Sequence, residues 1–211
     1  MKSSAIATAA DYADAMLTAR KAKNVLWSMT LLMIMAELAL FFVARYQVDL
    51  SAPSAVTDKL KYVIGLIDFL GVVTPMVLAV VLLLILAIML IGRLIGVARV
   101  VSAFIWCVLL TVLLFPWQAF LINQTFTSTE FKIPGVLYTW SELLLEARYH
   151  PAGRTAVLFW GRFVGWPVAA LAIVLVIGMA SRRGLRLALG EESSDPVPVV
   201  DADNINDPTR I

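Results

Sequence analysis

The chain has 211 residues, 61% of them apolar and 15% charged, with a mean hydropathy of +0.87 and a formal net charge of +2. A soluble domain carries roughly a quarter of its residues as charges, so the composition argues against a water-soluble core, and the small charge against a nucleic-acid partner. The single cysteine, Cys107, and the single histidine, His150, rule out an internal disulfide, a thiol relay and haem held between two histidines, and leave almost no donor set for zinc.

The charge deficit is concentrated. Long stretches carry almost no charge and polar segments separate them, as expected of helices in lipid, where the backbone must satisfy its own hydrogen bonds. The expected fold class is an all-α integral membrane protein with four transmembrane helices and additional interfacial amphipathic helices.

Residues 1–24 come first. Ile6, Ala9, Ala13 and Met16 recur at helical spacing and Arg20, Lys21 and Lys23 follow, which reads as a short amphipathic helix on the cytoplasmic membrane surface. A secretory signal is the competing reading, but its apolar region is shorter than the run over 25–44, which also contains Glu37. Residues 25–44 are therefore the first span. The second is clearest over 74–92 and is taken in full as 63–92. Thr74 as N-cap and Pro75 at the first helical position form a helix-start signature. Upstream, Asp58, Lys61, Gly65 and Asp68 share a stripe. Segment 58–73 is thus expected to be an interfacial helix bending into the span at Thr74-Pro75, in preference to the first turns of one long, tilted helix.

Residues 93–99 make a tight turn, and the third span covers 100–122, with Pro116 near its far end. An outer-side loop, 123–155, contains an amphipathic helix with Val136, Trp140, Leu143, Leu144 and Ala147 on one face; Ser141, Glu142, Glu146 and Arg148 lie on the other. The fourth span is 156–180, and the membrane domain as a whole is 25–186. The tail, 187–211, carries six acids from Glu191 onward against Arg210 alone, plus three prolines, and reads as disordered. Ten lysines and arginines fall in the N-terminal segment, second loop and C-terminal segment, against six in the first and third loops. Both termini are therefore expected on the cytoplasmic side of a bacterial-type inner membrane.

A charge at the bilayer centre costs about 2.5–3.5 kcal/mol on insertion scales, so each one within a span calls for an explanation. Glu37 and Arg162 qualify, and Asp68 is borderline. At 1.5 Å per residue Glu37 sits about 10 Å below the outer end of its span, Arg162 about 9 Å and Asp68 about 8 Å. The third span offers Trp117 and Gln118 at that height. A polar cluster is therefore expected in the outer half, centred on a Glu37–Arg162 pair. It has three readings: a register-fixing ion pair, a site for a lipid or quinone headgroup or a proton relay through Glu37, and a face toward a partner subunit. Gly161 and Gly165, extended by Ala169, form a small-residue row that supports close helix packing, first of all within the chain.

No phosphate loop, helical histidine pair or serine elbow is present in the sequence. The leading expectation is a non-catalytic membrane subunit or scaffold of a larger complex, with no cofactor. Its partners would be the lipid bilayer and other membrane subunits, its acidic tail meeting a basic surface. The alternative is a small transporter or channel with Glu37 as its ion-coupling carboxylate.

Overall fold

The computed structural model describes residues 9–46, 55–115, 137, 138, 143 and 153–191. It contains α1 (Ala9–Tyr46), α2 (Ala55–Ile91), α3 (Val97–Leu114), α4 (Arg154–Trp160), a π-helical turn (Gly161–Gly165) and α5 (Trp166–Ala188). Among the described residues there is no strand. Four rods are long and apolar enough to cross a membrane: Asp11–Tyr46, Asp58–Ile91, Val97–Leu114 and Ala156–Ala188. They form an up-down bundle in which α1 and α3 each pack against both α2 and α5. The start of α1 and the end of α5 share one end, where Arg20 pairs with Glu191 at 2.7 Å.

α1 is a single helix of 38 residues, about 57 Å long at 1.5 Å per residue. That is nearly twice the roughly 30 Å of a hydrocarbon core. Nothing separates its first turns from the apolar run at residue 25, because no glycine or proline occurs between Ala9 and Tyr46.

α2 is likewise continuous from Ala55 to Ile91, with Pro75 inside it, so the start signature at Thr74-Pro75 does not operate. The Thr74 hydroxyl caps nothing; it donates back to Leu70 O at 2.8 Å. Pro75 forgoes one backbone bond, yet it is buried, and its carbonyl accepts from Cys107 Sγ at 3.5 Å. Neighbouring helices hold the proline in line, as they do in membrane helices generally. Segment 58–73 is therefore the first part of one long helix rather than a separate interfacial one.

α3 is shorter than expected. It stops at Leu114 because Phe115 is extended (φ −65°, ψ 134°), the conformation favoured just before a proline. Residues 116–122, including Trp117 and Gln118, lie outside the described residues. Before α3, Gly96 has φ +95°, and a Cβ there would lie 2.7 Å from Gly184 O. Only glycine satisfies both the left-handed backbone and the approach to α5.

The fourth rod carries the π turn. Pro167, the second residue of α5, has no N–H, and its ring would strike the carbonyl four residues back. The preceding turn widens instead, and Trp166 N–H bonds Gly161 O, five residues earlier. α5 then runs past residue 180 to Ala188 and closes through Gly190 (φ +70°), with Glu191 N–H bonded to Arg186 O at 2.9 Å.

The core falls into three layers. Met16, Ile85, Met89, Val100 and Leu185 fill one end, Ile34, Leu78, Leu82, Cys107 and Val174 the middle, and Phe41, Ile64, Leu143, Phe159 and Phe163 the other end. The outside is also apolar: Leu32, Leu66, Val80, Leu84, Ile105 and Leu175 all stand exposed.

Candidate functional site: a polar seam along the first helix

Met16, Lys23, Thr30, Glu37 and Ala44 are all buried, and they follow one another at intervals of seven. Seven residues are nearly two helical turns, so these positions form one stripe, with steps of about 10 Å. Three of the five are polar. Each meets a different part of the chain.

Glu37 is fully buried. Its Oε1 accepts from Tyr138 N–H at 3.3 Å, and the Tyr138 hydroxyl donates to the Glu37 backbone carbonyl at 2.6 Å. Arg162, held within the π turn, donates from Nη2 to Leu137 O at 3.2 Å. An acid from the first rod and a base from the fourth thus bind the two sides of one peptide group, the one that joins Leu137 to Tyr138. The Leu137 side chain lies over Gly71 of α2, where a Cβ would come within 3.2 Å of it. Aromatic rings close the surroundings: Phe41 stacks on Phe163 at 4.8 Å, and the Arg45 guanidinium sits 4.9 Å from the Phe159 ring and 5.3 Å from Trp160. Charge-assisted bonds gain strength in such water-poor surroundings.

One step along the seam, the Thr30 and Thr74 hydroxyls meet at 3.4 Å, and each also reaches the carbonyl four residues back in its own helix. A further step brings Lys23, 2% exposed, whose Nζ donates to Ser181 Oγ on α5 at 3.2 Å. Beside it, Trp27 Nε1 donates to Val174 O at 2.7 Å, and the Arg182 guanidinium lies 5.0 Å from the Trp27 ring. Gly178 makes this approach feasible, since a Cβ on it would fall 2.7 Å from Trp27 Nε1.

The expected cluster can now be placed. Glu37 and Arg162 reach the same dipeptide. Asp68 is half-buried on α2, with Oδ1 inside the protein, one turn before Gly71. Gly161, Gly165 and Ala169 are exposed. A Cβ on Gly161 would meet nothing within 4 Å, and one on Gly165 only Trp160 O at 3.8 Å. Among the described residues, then, no other helix packs on this row; it borders an apolar groove of about 580 Å³ lined by Ala156, Val157, Trp160, Gly161, Val164 and Gly165. The glycines at close helix contacts are Gly96 and Gly184, which bring the backbones of α3 and α5 together, and Gly178, which admits the Trp27 ring. Sequence reasoning missed Lys23, Tyr138 and Ser181; the seven-residue spacing of Lys23, Thr30 and Glu37 was the available signal.

By class this is a four-rod helical bundle with polar groups keyed into its interior. Compared with known proteins, the chain matches no family model, no curated protein and no solved structure.

Proposed function

We propose that the chain is a non-catalytic, multi-pass subunit or scaffold of a membrane protein complex, with both termini on the cytoplasmic side of a bacterial-type inner membrane. The membrane setting is supported by the exposed apolar side chains on all four rods. In water they would form a patch far beyond the few hundred Å² that monomeric soluble proteins expose. Sidedness is supported by the lysine and arginine excess at the end shared by α1's start and α5's end.

The subunit reading is carried by the outward row of Gly161, Gly165 and Ala169 beside its groove. Small residues let a second backbone approach closely, and in lipid such packing is a main source of helix association. The test is purification in a mild detergent followed by identification of co-purifying chains. A specific membrane partner is expected with the wild type and should be lost in Gly165→Leu, whose thermal midpoint should not fall. A single chain with no partner from wild-type cells overturns the reading.

The polar seam favours a second reading, a small transporter that uses Glu37 to couple an ion. It requires flux in proteoliposomes that Glu37→Gln abolishes while leaving the fold and any partner intact. The subunit reading requires no flux from the chain alone.

A further inference from the structure

The end of the bundle opposite Glu37 has a cleft that neither reading uses. α3 and α5 are cinched there by glycines: a Cβ on Gly184 would lie 2.7 Å from Val100 Cγ2, and one on Gly96 2.7 Å from Gly184 O. Beside this contact the helices part to leave a cleft of about 260 Å³, lined by Arg99 and Ser102 of α3 and by Val176, Met179, Ala180 and Arg183 of α5. At about 30 Å³ per water this is room for roughly eight or nine molecules, comparable to a phosphoglycerol group. No acid is among the lining residues. Glu191, at the end of α5, is engaged by Arg20 of α1.

The cleft is graded along the helix axes. Arg99 lies near the start of α3 and Arg183 near the end of α5, so both guanidiniums stand at the mouth, and both are exposed. Ser102 is one turn deeper. Val176 is seven residues from Arg183, about 10 Å further in, with exposed Met179 between them. Two cations above a hydroxyl and an apolar floor match one kind of molecule: an anionic phosphodiester joined to hydrocarbon. A free phosphate would use the mouth and leave the floor bare.

We infer that this cleft binds the headgroup of an anionic glycerophospholipid, its phosphodiester between Arg99 and Arg183 and its acyl chains along Met179 and Val176. Guanidiniums suit the role because they offer forked donors to phosphate oxygens, and basic pockets between membrane helices hold such headgroups elsewhere. The inference rests on the bilayer setting proposed above, not on the partner or the ion path.

The test uses the full chain purified in detergent, with bound lipid counted by native mass spectrometry after exposure to phosphatidylglycerol or phosphatidylcholine, each with and without sodium phosphate. Phosphatidylglycerol should be retained in preference to phosphatidylcholine and should resist inorganic phosphate at equal concentration. Arg99→Gln with Arg183→Gln should weaken it roughly 30-fold, at about fivefold per basic residue near a charged bilayer surface. The control, Arg93→Gln with Arg186→Gln, removes the same charge outside the cleft and should leave binding unchanged. Equal loss in both double variants, equal retention of the two lipids, or displacement by free phosphate overturns the proposal. Carbonate washing of the source membranes tests the setting separately. Release of the chain overturns the bilayer setting and the lipid site together, whereas a chain that stays in the pellet and shows no lipid preference overturns the lipid site alone.

Discussion

Glu37 is the residue whose replacement says most. Glu37→Gln keeps an oxygen near the position of Oε1, so Tyr138 N–H, 3.3 Å away in the wild type, retains an acceptor. The bond changes from charge-assisted to neutral, roughly halving its strength, for a loss of about 1 kcal/mol. Glu37→Met keeps the length of the side chain and removes the acceptor, stranding a buried donor at a further cost of about 1–3 kcal/mol. It also leaves Arg162 to hold the other side of the 137–138 peptide alone, which weakens that bond in turn. At roughly 2–4 °C per kcal/mol for a chain of this size, Glu37→Gln should lower the thermal midpoint by roughly 2–4 °C and Glu37→Met by about twice that or more. The Glu37→Met/Arg162→Met pair should lose less than the sum of its parts. Tryptophan fluorescence during heating in detergent reads the wild type and the four variants, Arg162→Met alone among them. If Gln proves as damaging as Met, or if the double variant is fully additive, then the carboxylate and the guanidinium are not gripping one segment jointly, and the structural role argued for them fails.

Two further comparisons follow from the packing. Gly178→Ala should destabilise by about 1–3 kcal/mol, because the overpacked methyl displaces Trp27 from Val174 O. Gly65→Ala, with open space at the Cβ, should instead gain up to about 1 kcal/mol of helix propensity; parallel melting curves with the same sign at both sites would refute the assignment. Lys23→Met, which replaces a buried ammonium by an apolar chain of similar length, should be neutral or stabilising in the same assay. Ser181→Ala, which keeps the ammonium and removes the hydroxyl that receives it at 3.2 Å, should cost about 1–3 kcal/mol.

The rods were legible because hydropathy is set by runs of residues, and Glu37 and Arg162 because a charge inside such a run is conspicuous. Residue counting placed the two at one height, and they reach the two sides of one peptide group. Lys23 escaped notice because it stands two residues before the apolar run, where a cation reads as an interfacial anchor; its burial depends on α5 arriving with Ser181, 158 residues later. Tyr138 was hidden for the same reason, its partner being 101 residues away. Thr74-Pro75 misled because the same two residues that open a helix can be absorbed within one, the threonine by bonding back to its own turn and the proline by tight neighbours. The end of α3 was readable in advance: Pro116 restricts Phe115, and the third span was drawn through it. The small-residue row at Gly161 has no helix packed on it among the described residues, since spacing says that a backbone can approach without saying whose.

The seam on α1 invites two opposite conclusions, and the structure offers a way to weigh them. As a lock, Lys23, Thr30 and Glu37 engage α5, α2 and the Tyr138 segment respectively. A slide of α1 by one turn, about 5.4 Å, would unseat all three together, whereas leucines and isoleucines alone would repack at small cost. As a path, the same residues would pass a proton or ion between steps of about 10 Å, too far for side chain to meet side chain. Ordered water would have to bridge each gap, and water needs polar partners to stay. Between Thr30 and Glu37 the interior is instead occupied by Ile34, 1% exposed, and between Thr30 and Lys23, inward of Thr74 on α2, by the fully buried Leu78 and Leu82. Apolar side chains on both sides of the Thr30–Thr74 contact hinder conduction and do nothing to loosen the register. The interior therefore weighs toward a bundle held in one arrangement, as a scaffold requires, and any transport through it would first have to move Ile34 and Leu78 aside.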